Sequence, residues 1–293
     1  NRFNFSKNIF FIIMAICVVV QILLSILGYL DSNFFNFVSS FIDVNLDESR
    51  LDDFTEHRIV GFGASFFGAG ILNSFVLLII TIAFQKKKFL NRQFFLCCFF
   101  IISILGTMLS RTTIVGVVLS IILLSSNFKN TKSMLLLFYM VLTGVFLSLF
   151  IWFYVKYFHN DRILNIIEFG LSFIYDYENS QAKDSFSVLL DMLNVIPSDP
   201  KTLLIGDALL YGTDNSYYKH IDVGFYRIVY CVGIAGLIIY CYTHIYLINK
   251  TSFLKGYRIF LIILFVVLNV KGIANLLPFL FLLYFYDKKI MAR

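Results

Sequence analysis

From Ile9 to Leu30, and again from Ile59 to Gln85, the chain runs without one charged side chain. A helix needs about 20 apolar residues to cross the roughly 30 Å hydrocarbon layer of a bilayer, and both stretches reach that length. A soluble helix would have to show a polar face along such a run. Spans are therefore predicted at 9–30 and 64–85, and further apolar segments follow at 93–109, 112–126, 133–155, 225–248, 259–270 and 273–286. Of the 293 residues, 59% are hydrophobic and 14% charged, and the mean hydropathy is +0.82. A soluble domain carries roughly 45–50% apolar and about 25% charged residues, so a soluble enzyme, a disordered chain and a collagen-like fibre are excluded. With only 3 Pro and 16 Gly, little interrupts helix formation. The expected fold is all-α: a polytopic transmembrane helix bundle of about eight spans, forming a single integral membrane domain over 1–293. Because the chain opens on Asn1 rather than Met, further spans are expected ahead of it.

The net charge of +6 is a matter of sidedness rather than nucleic-acid binding. The N-terminus and the segments 86–92, 129–132, 250–258 and 287–293 are rich in Lys and Arg, and Asp287 is their only acid. The alternate segments, a first outer loop at 31–58 and a large outer loop at 156–224, hold nearly all the Asp and Glu. Short cytoplasmic loops are enriched in Lys and Arg, which puts the basic set and both termini in the cytoplasm and the large, partly helical loop outside. Cys17, Cys97, Cys98, Cys231 and Cys241 all fall inside the apolar segments. Without a CxxC pair or a Cys/His spacing suited to zinc, they read as packing residues, and no metal or cofactor is expected.

Four cations sit where a plain membrane anchor would have none. Arg58 ends the first outer loop, directly ahead of a glycine-rich stretch, Gly61 to Gly70, that leads into a span. A helix N-terminus with exposed N–H groups beside an Arg can hold an anion; small-residue packing with a snorkelling Arg is the alternative. Arg111 lies in Leu109-Ser110-Arg111-Thr112 between two short apolar segments, and Lys271 in Lys271-Gly272 between another two. Each of those pairs is either a tight hairpin of spans or a re-entrant element covered by protein or water. Arg227 opens the span that follows the large loop. A charge at such depth is costly unless it meets a partner or a ligand. Pairing with acids such as Asp222 or Asp207 would serve for one; a multiply charged anion would serve for all four, since Arg binds phosphate bidentately. In the large loop, Ile163 to Tyr175 and Ser185–Val195 read as amphipathic helices, the second stopped by Pro197, with a turn at Tyr211-Gly212-Thr213-Asp214-Asn215-Ser216.

The order of these patches resembles the bacterial O-antigen polymerase and O-antigen ligase superfamily. Arg58-Ile59-Val60-Gly61-Phe62-Gly63 is similar to the family's R-x-x-G segment, and Ser110-Arg111-Thr112 to its S-R-[TG] hairpin. Leu204-Ile205-Gly206, Asp222-Val223-Gly224-Phe225-Tyr226-Arg227 and Gly233-Ile234-Ala235-Gly236 resemble its "L-G … D-x-G-[FY]-x-R … G-x-x-G" passage. The resemblance implies a glycosyltransferase of the bacterial inner membrane that joins undecaprenyl-diphosphate-linked repeat units into O-antigen or capsular polysaccharide. Such an enzyme needs no metal, has pyrophosphate as its leaving group, and works among membrane lipids with a chain-length regulator protein as a partner. It further implies that Arg58, Arg111, Arg227 and Lys271 hold the pyrophosphate and that Asp222 or His220 removes the acceptor proton. The Asp-Val-Gly-Phe form resembles polymerases more than ligases, which place a His of the large loop in a context that His220 lacks. A ligase transferring glycan to lipid A-core, and a flippase for the same lipid-linked sugars, are the alternatives. The flippase is disfavoured by a sequence without evident paired interrupted helices.

Overall fold

The computed structural model describes residues 9–40, 59, 62, 64, 66–87, 91–126, 189, 191–192, 197, 199–212 and 217–291. Among them every regular element is a helix, apart from one isolated bridge between Tyr211 and Tyr217. The chain divides into two compact units, one running to Tyr175 and the other from Asp176. The 133–155 segment, the Ile163–Tyr175 stretch and most of the first outer loop lie outside the described residues.

In the first unit, α1 (Ile9–Leu30) buries Phe11, Ala15, Val18, Ile22, Ser25 and Gly28, a stripe at helical spacing. Its opposite face is equally apolar and exposed, with Ile13, Ile16, Val20, Leu23, Leu27 and Leu30 outward. In water that face would be an aggregation liability; in a bilayer it is the expected surface. Helix α2 (Ser32–Ser39) follows at once, capped by Asp31, whose side chain accepts the Asn33 N–H at 2.9 Å. Helix α3 (Phe66–Gln85) is buried on every face from Ala69 to Ala83, and α4 (Arg92–Leu109) and α5 (Thr113–Ser125) pack on it. Small residues set the spacing. A Cβ on Gly116 would stand 2.3 Å from the Ser74 Cα, and one on Gly70 2.5 Å from the Ser110 hydroxyl.

Both ends of this unit are defined by contacts. Gln85 donates to the Leu123 carbonyl at 2.7 Å, and Phe84 stacks on Phe95 at 4.4 Å. The basic segment after α3 and the far end of α5 therefore share one end. At the other end, the Ser110–Thr112 turn meets the start of α3.

In the second unit, α6 (Pro200–Ile205) is a turn and a half that the sequence did not announce. Asp199 caps it, Pro200 opens it, and Gly206 closes it at φ 77°. Helix α7 (Gly224–Lys250) is broken at Gly233, where φ is 68° and ψ −176°. Helices α8 (Arg258–Lys271) and α9 (Leu277–Met291) return across it, joined through Gly272–Leu276. A 3-10 turn at Ser252–Leu254 follows α7, and the Asp287 carboxylate of α9 accepts the Ser252 and Phe253 N–H groups at 2.5 and 3.2 Å. The 250–258 segment and the end of α9 are thus at one end of the unit. Gly224 packs on Gly272 and Ile273 at the other.

Helices cover every predicted apolar segment that is described. Four of them, α1, α3, α4 and α7, are long and apolar enough to cross a membrane. The 13, 14 and 15 residues of α5, α8 and α9 rise about 20–22 Å, short of a full crossing.

Candidate functional site

The Asp-Val-Gly passage builds the centre of the second unit. Ile221 and Val223 turn inward with Tyr230 into a small core that Leu189, Met192, Tyr218 and Tyr226 complete. Asp222, between them, turns the other way; its N–H donates to the Met192 sulfur at 3.4 Å. One helical turn on, Arg227 is 9% exposed, with Nη1 4.0 Å from the Asp222 carboxylate. Its guanidinium lies 3.7 Å from the centroid of the Tyr217 ring and 5.7 Å from that of Tyr211, within reach of a cation–π attraction. The Arg227 Nε–H is buried without an acceptor.

That arrangement is electrostatically incomplete. A cation in the first turn of a helix faces the positive end of the backbone dipole, and a 4.0 Å ion pair is a long one. A buried donor left unmade costs about 1–3 kcal/mol, a cost that an acceptor on Arg227 Nε would remove. The ion pair that the sequence allows between Asp222 and Arg227 is present, and no side chain caps α7. Burial raises the Asp222 pKa above the usual carboxylate range, while Arg227 and Lys271 pull it down. A raised carboxylate is a better proton acceptor near neutrality.

The other sequence-predicted residues are distributed as follows. Lys271, exposed at the end of α8, is close enough to favour the Asp222 charge. His220 is exposed, in the left-handed region at φ 56° like its neighbour Lys219; the Lys219 ammonium sits 4.7 Å from the Tyr230 ring centroid. Asp222, Arg227 and Lys271 are therefore brought together. Arg111 belongs to the first unit, half-buried in the turn between α4 and α5. Arg58 lies outside the described residues, whereas Ile59, next to it, is fully buried.

The glycines of the resemblance passage have a packing cause. A Cβ on Gly206 would stand 2.4 Å from the Cys231 carbonyl carbon, and one on Gly233 2.1 Å from the Leu204 carbonyl oxygen. Both have positive φ. The break at Gly233 leaves carbonyls of the preceding turn open, and the loop fills them: the Asp207 N–H donates to Tyr230 at 2.6 Å and the Ala208 N–H to Cys231 at 2.9 Å. Asp207 then accepts the Thr202 and Tyr218 hydroxyls at 2.8 and 3.2 Å, which ties α6 to the 3-10 turn at Tyr218–His220. Partial burial, and then the bond to Asp207, raise the Tyr218 pKa.

Several polar residues inside apolar runs went unread in the sequence. Gln21 donates to the Ala64 carbonyl at 3.0 Å, and Ser25 accepts the Phe62 N–H at 3.1 Å, so α1 binds the irregular lead-in to α3. Asn73 donates to Thr113 at 3.3 Å, and Thr113 to the Gly106 carbonyl at 2.9 Å, which fixes the turn that carries Arg111. His244, fully buried, accepts the Leu276 N–H on Nε2 at 3.2 Å. Its Nδ1 therefore carries the proton and donates to the Tyr240 carbonyl at 2.8 Å. The single Tyr240 O–H is shared between the Ala274 carbonyl at 2.7 Å and the Asn269 Oδ1 at 3.1 Å. This network satisfies the α8–α9 break. Its only sequence signal was a few polar side chains among apolar neighbours. Among the described residues no group of three or more His, Cys, Asp or Glu is placed to hold a metal ion.

The fold and site define an all-helical protein with apolar helices fit to cross a membrane and a buried, under-satisfied arginine beside a carboxylate. No family model, no curated protein and no solved structure matches the chain.

Proposed function

We propose that this protein is a polysaccharide polymerase of the bacterial inner membrane. It would join undecaprenyl-diphosphate-linked repeat units into O-antigen or capsular polysaccharide at the outer face. The observation that carries the reading is Arg227: a buried guanidinium with an unmade N–H, beside a carboxylate whose proton affinity is raised. Glycosyl transfer from a lipid diphosphate needs both charge stabilisation on the departing pyrophosphate and a base for the acceptor hydroxyl. In this scheme Arg227 and Lys271, with Arg58 and Arg111, hold the diphosphate, and Asp222 takes the acceptor proton, with His220 as the other candidate. The acceptor oxygen then forms the new glycosidic bond as the bond from the sugar to pyrophosphate breaks.

The topology belongs to the same reading. Among the described residues, the ends of α3 and α5, which precede the basic segments 86–92 and 129–132, meet through Gln85 and Leu123, and the 250–258 segment meets the end of α9. Those ends would face the cytoplasm with both termini, and the 156–224 loop would lie outside. About eight spans would form one integral membrane domain, working with membrane lipids and a chain-length regulator.

A transporter for the same lipid-linked sugars is the second reading, favoured by the broken α7, since interrupted helices recur at transporter binding sites. Purified protein given lipid-linked repeat units separates the two. A ladder of longer glycans supports the polymerase; relocation of unaltered units across a proteoliposome membrane supports transport and overturns it.

A further inference from the structure

Where α7 breaks at Gly233, a groove of about 430 Å³ opens along it, lined among others by Leu210, Ile228, Cys231, Ile239, Thr243 and Ile273. That volume is in the range of small-molecule sites. Beyond the break the lining runs from Gly236 to Thr243, about 10 Å along the helix, a third of the hydrocarbon thickness. The Thr243 hydroxyl is already spent on the Ile239 carbonyl, and Tyr240 on Asn269 and Ala274. Water would find few partners there, so the space suits an apolar chain.

One end of the groove lies beside the candidate site, whose Arg227 is the chain neighbour of the lining residue Ile228. Cys231 is one helical turn beyond Arg227, on the same side of α7, and Leu210 adjoins Tyr211, whose ring faces the Arg227 guanidinium. An apolar slot thus begins within one helical turn of a buried cation with an unmade N–H. The complementary molecule has a long apolar chain and an anionic head. We propose that the groove holds the chain of a single-chain lipid phosphate, with the phosphate accepting from Arg227. The proposal rests on Arg227 as a phosphate ligand, as in the reading above, and adds the place of the chain. The break in α7 thereby has a use: it makes room for a chain next to the charge that holds its head.

The groove supplies its own reporter, Cys231. In full-length protein carrying Cys17→Ser, Cys98→Ser and Cys241→Ser, N-ethylmaleimide labelling is followed by mass spectrometry, with exposed Cys97 as the internal control. Hexadecyl phosphate is expected to slow Cys231 labelling at least about fivefold while Cys97 is unchanged; hexadecanol and inorganic phosphate at equal concentration are expected not to. Arg227→Gln should remove the protection, and so should Ile239→Trp, which fills the groove from an exposed position. Equal protection by hexadecanol, meaning ordinary lipid contact, overturns the proposal, as does no protection at all. Should Arg227→Gln disturb the fold, seen as a lowered melting temperature, Ile239→Trp alone decides. The polymer assay separates the two readings. Loss of polymer in Arg227→Gln without lipid protection in the parent protein leaves the function and removes the groove; protection with full polymer in Arg227→Gln does the reverse.

Discussion

Gly206 and Gly233 hold α6 and α7 together backbone to backbone, each in a left-handed conformation and each with the other's segment where its side chain would be. Alanine at either position meets both a steric and a conformational barrier. Gly206→Ala or Gly233→Ala should lower unfolding stability by more than about 1 kcal/mol. Thermal melting of the detergent-purified protein measures it.

Gly68 is the contrast. Nothing lies within 4 Å of a Cβ built there, whereas one on Gly70 would strike Ser110 and Thr112. Gly68→Ala should stabilise α3 by about 0.5–1 kcal/mol and Gly70→Ala should destabilise it, in the same melting experiment.

Arg58→Ala or Arg111→Ala should abolish polymer while leaving protein level and single-unit product intact. Arg111→Lys should retain a tenth of the activity or less, a loss of about 1.4 kcal/mol or more, because an ammonium does not reproduce the planar fork. Polymer length on gels from cells expressing each variant reads the result.

Asp222 acts as a base only when ionised, and its pKa is raised by burial. Activity should fall with decreasing pH through a value above the ordinary carboxylate pKa of about 3.9. Asp222→Asn should lose roughly 10²–10⁴ in rate, together with that limb of the pH profile. Stability runs the other way. The folded state holds this proton more tightly than the unfolded chain, so the contribution is full below the unfolded pKa and disappears as pH rises through the folded one.

His244→Phe keeps the ring stacked on Phe265 but leaves the Leu276 N–H without its acceptor. The orphaned donor should cost about 1–3 kcal/mol, visible as a lower melting temperature, with the α8–α9 junction first to exchange amide hydrogens.

The four long apolar helices were legible because a run with few or no charges has few places to go besides a bilayer, and the turns at Ser110–Thr112 and Gly272 because charge and glycine interrupt such runs. The Gly233 break was not legible: an isolated glycine in a helical pattern is ordinarily tolerated, and this one is forced open by Leu204, far back in the chain. Helix α6 is too short to show a period. Asp222, Arg227 and Lys271 were legible as charges out of place, but that α7 and the end of α8 bring them together is a tertiary fact no spacing encodes. The His244 network joins residues from Tyr240 to Leu276, and its members look unrelated until two helices cross.

The backbone leading into α3 is tied at Phe62 and Ala64 to Ser25 and Gln21 of α1. Inside a bilayer the lipid tails offer those peptide groups no hydrogen bond, so α1 serves as the solvent for Phe62 and Ala64. Leucines at both α1 positions would leave the Phe62 N–H and the Ala64 carbonyl thirsty, and that backbone would have to coil into a longer α3 or draw water down after it.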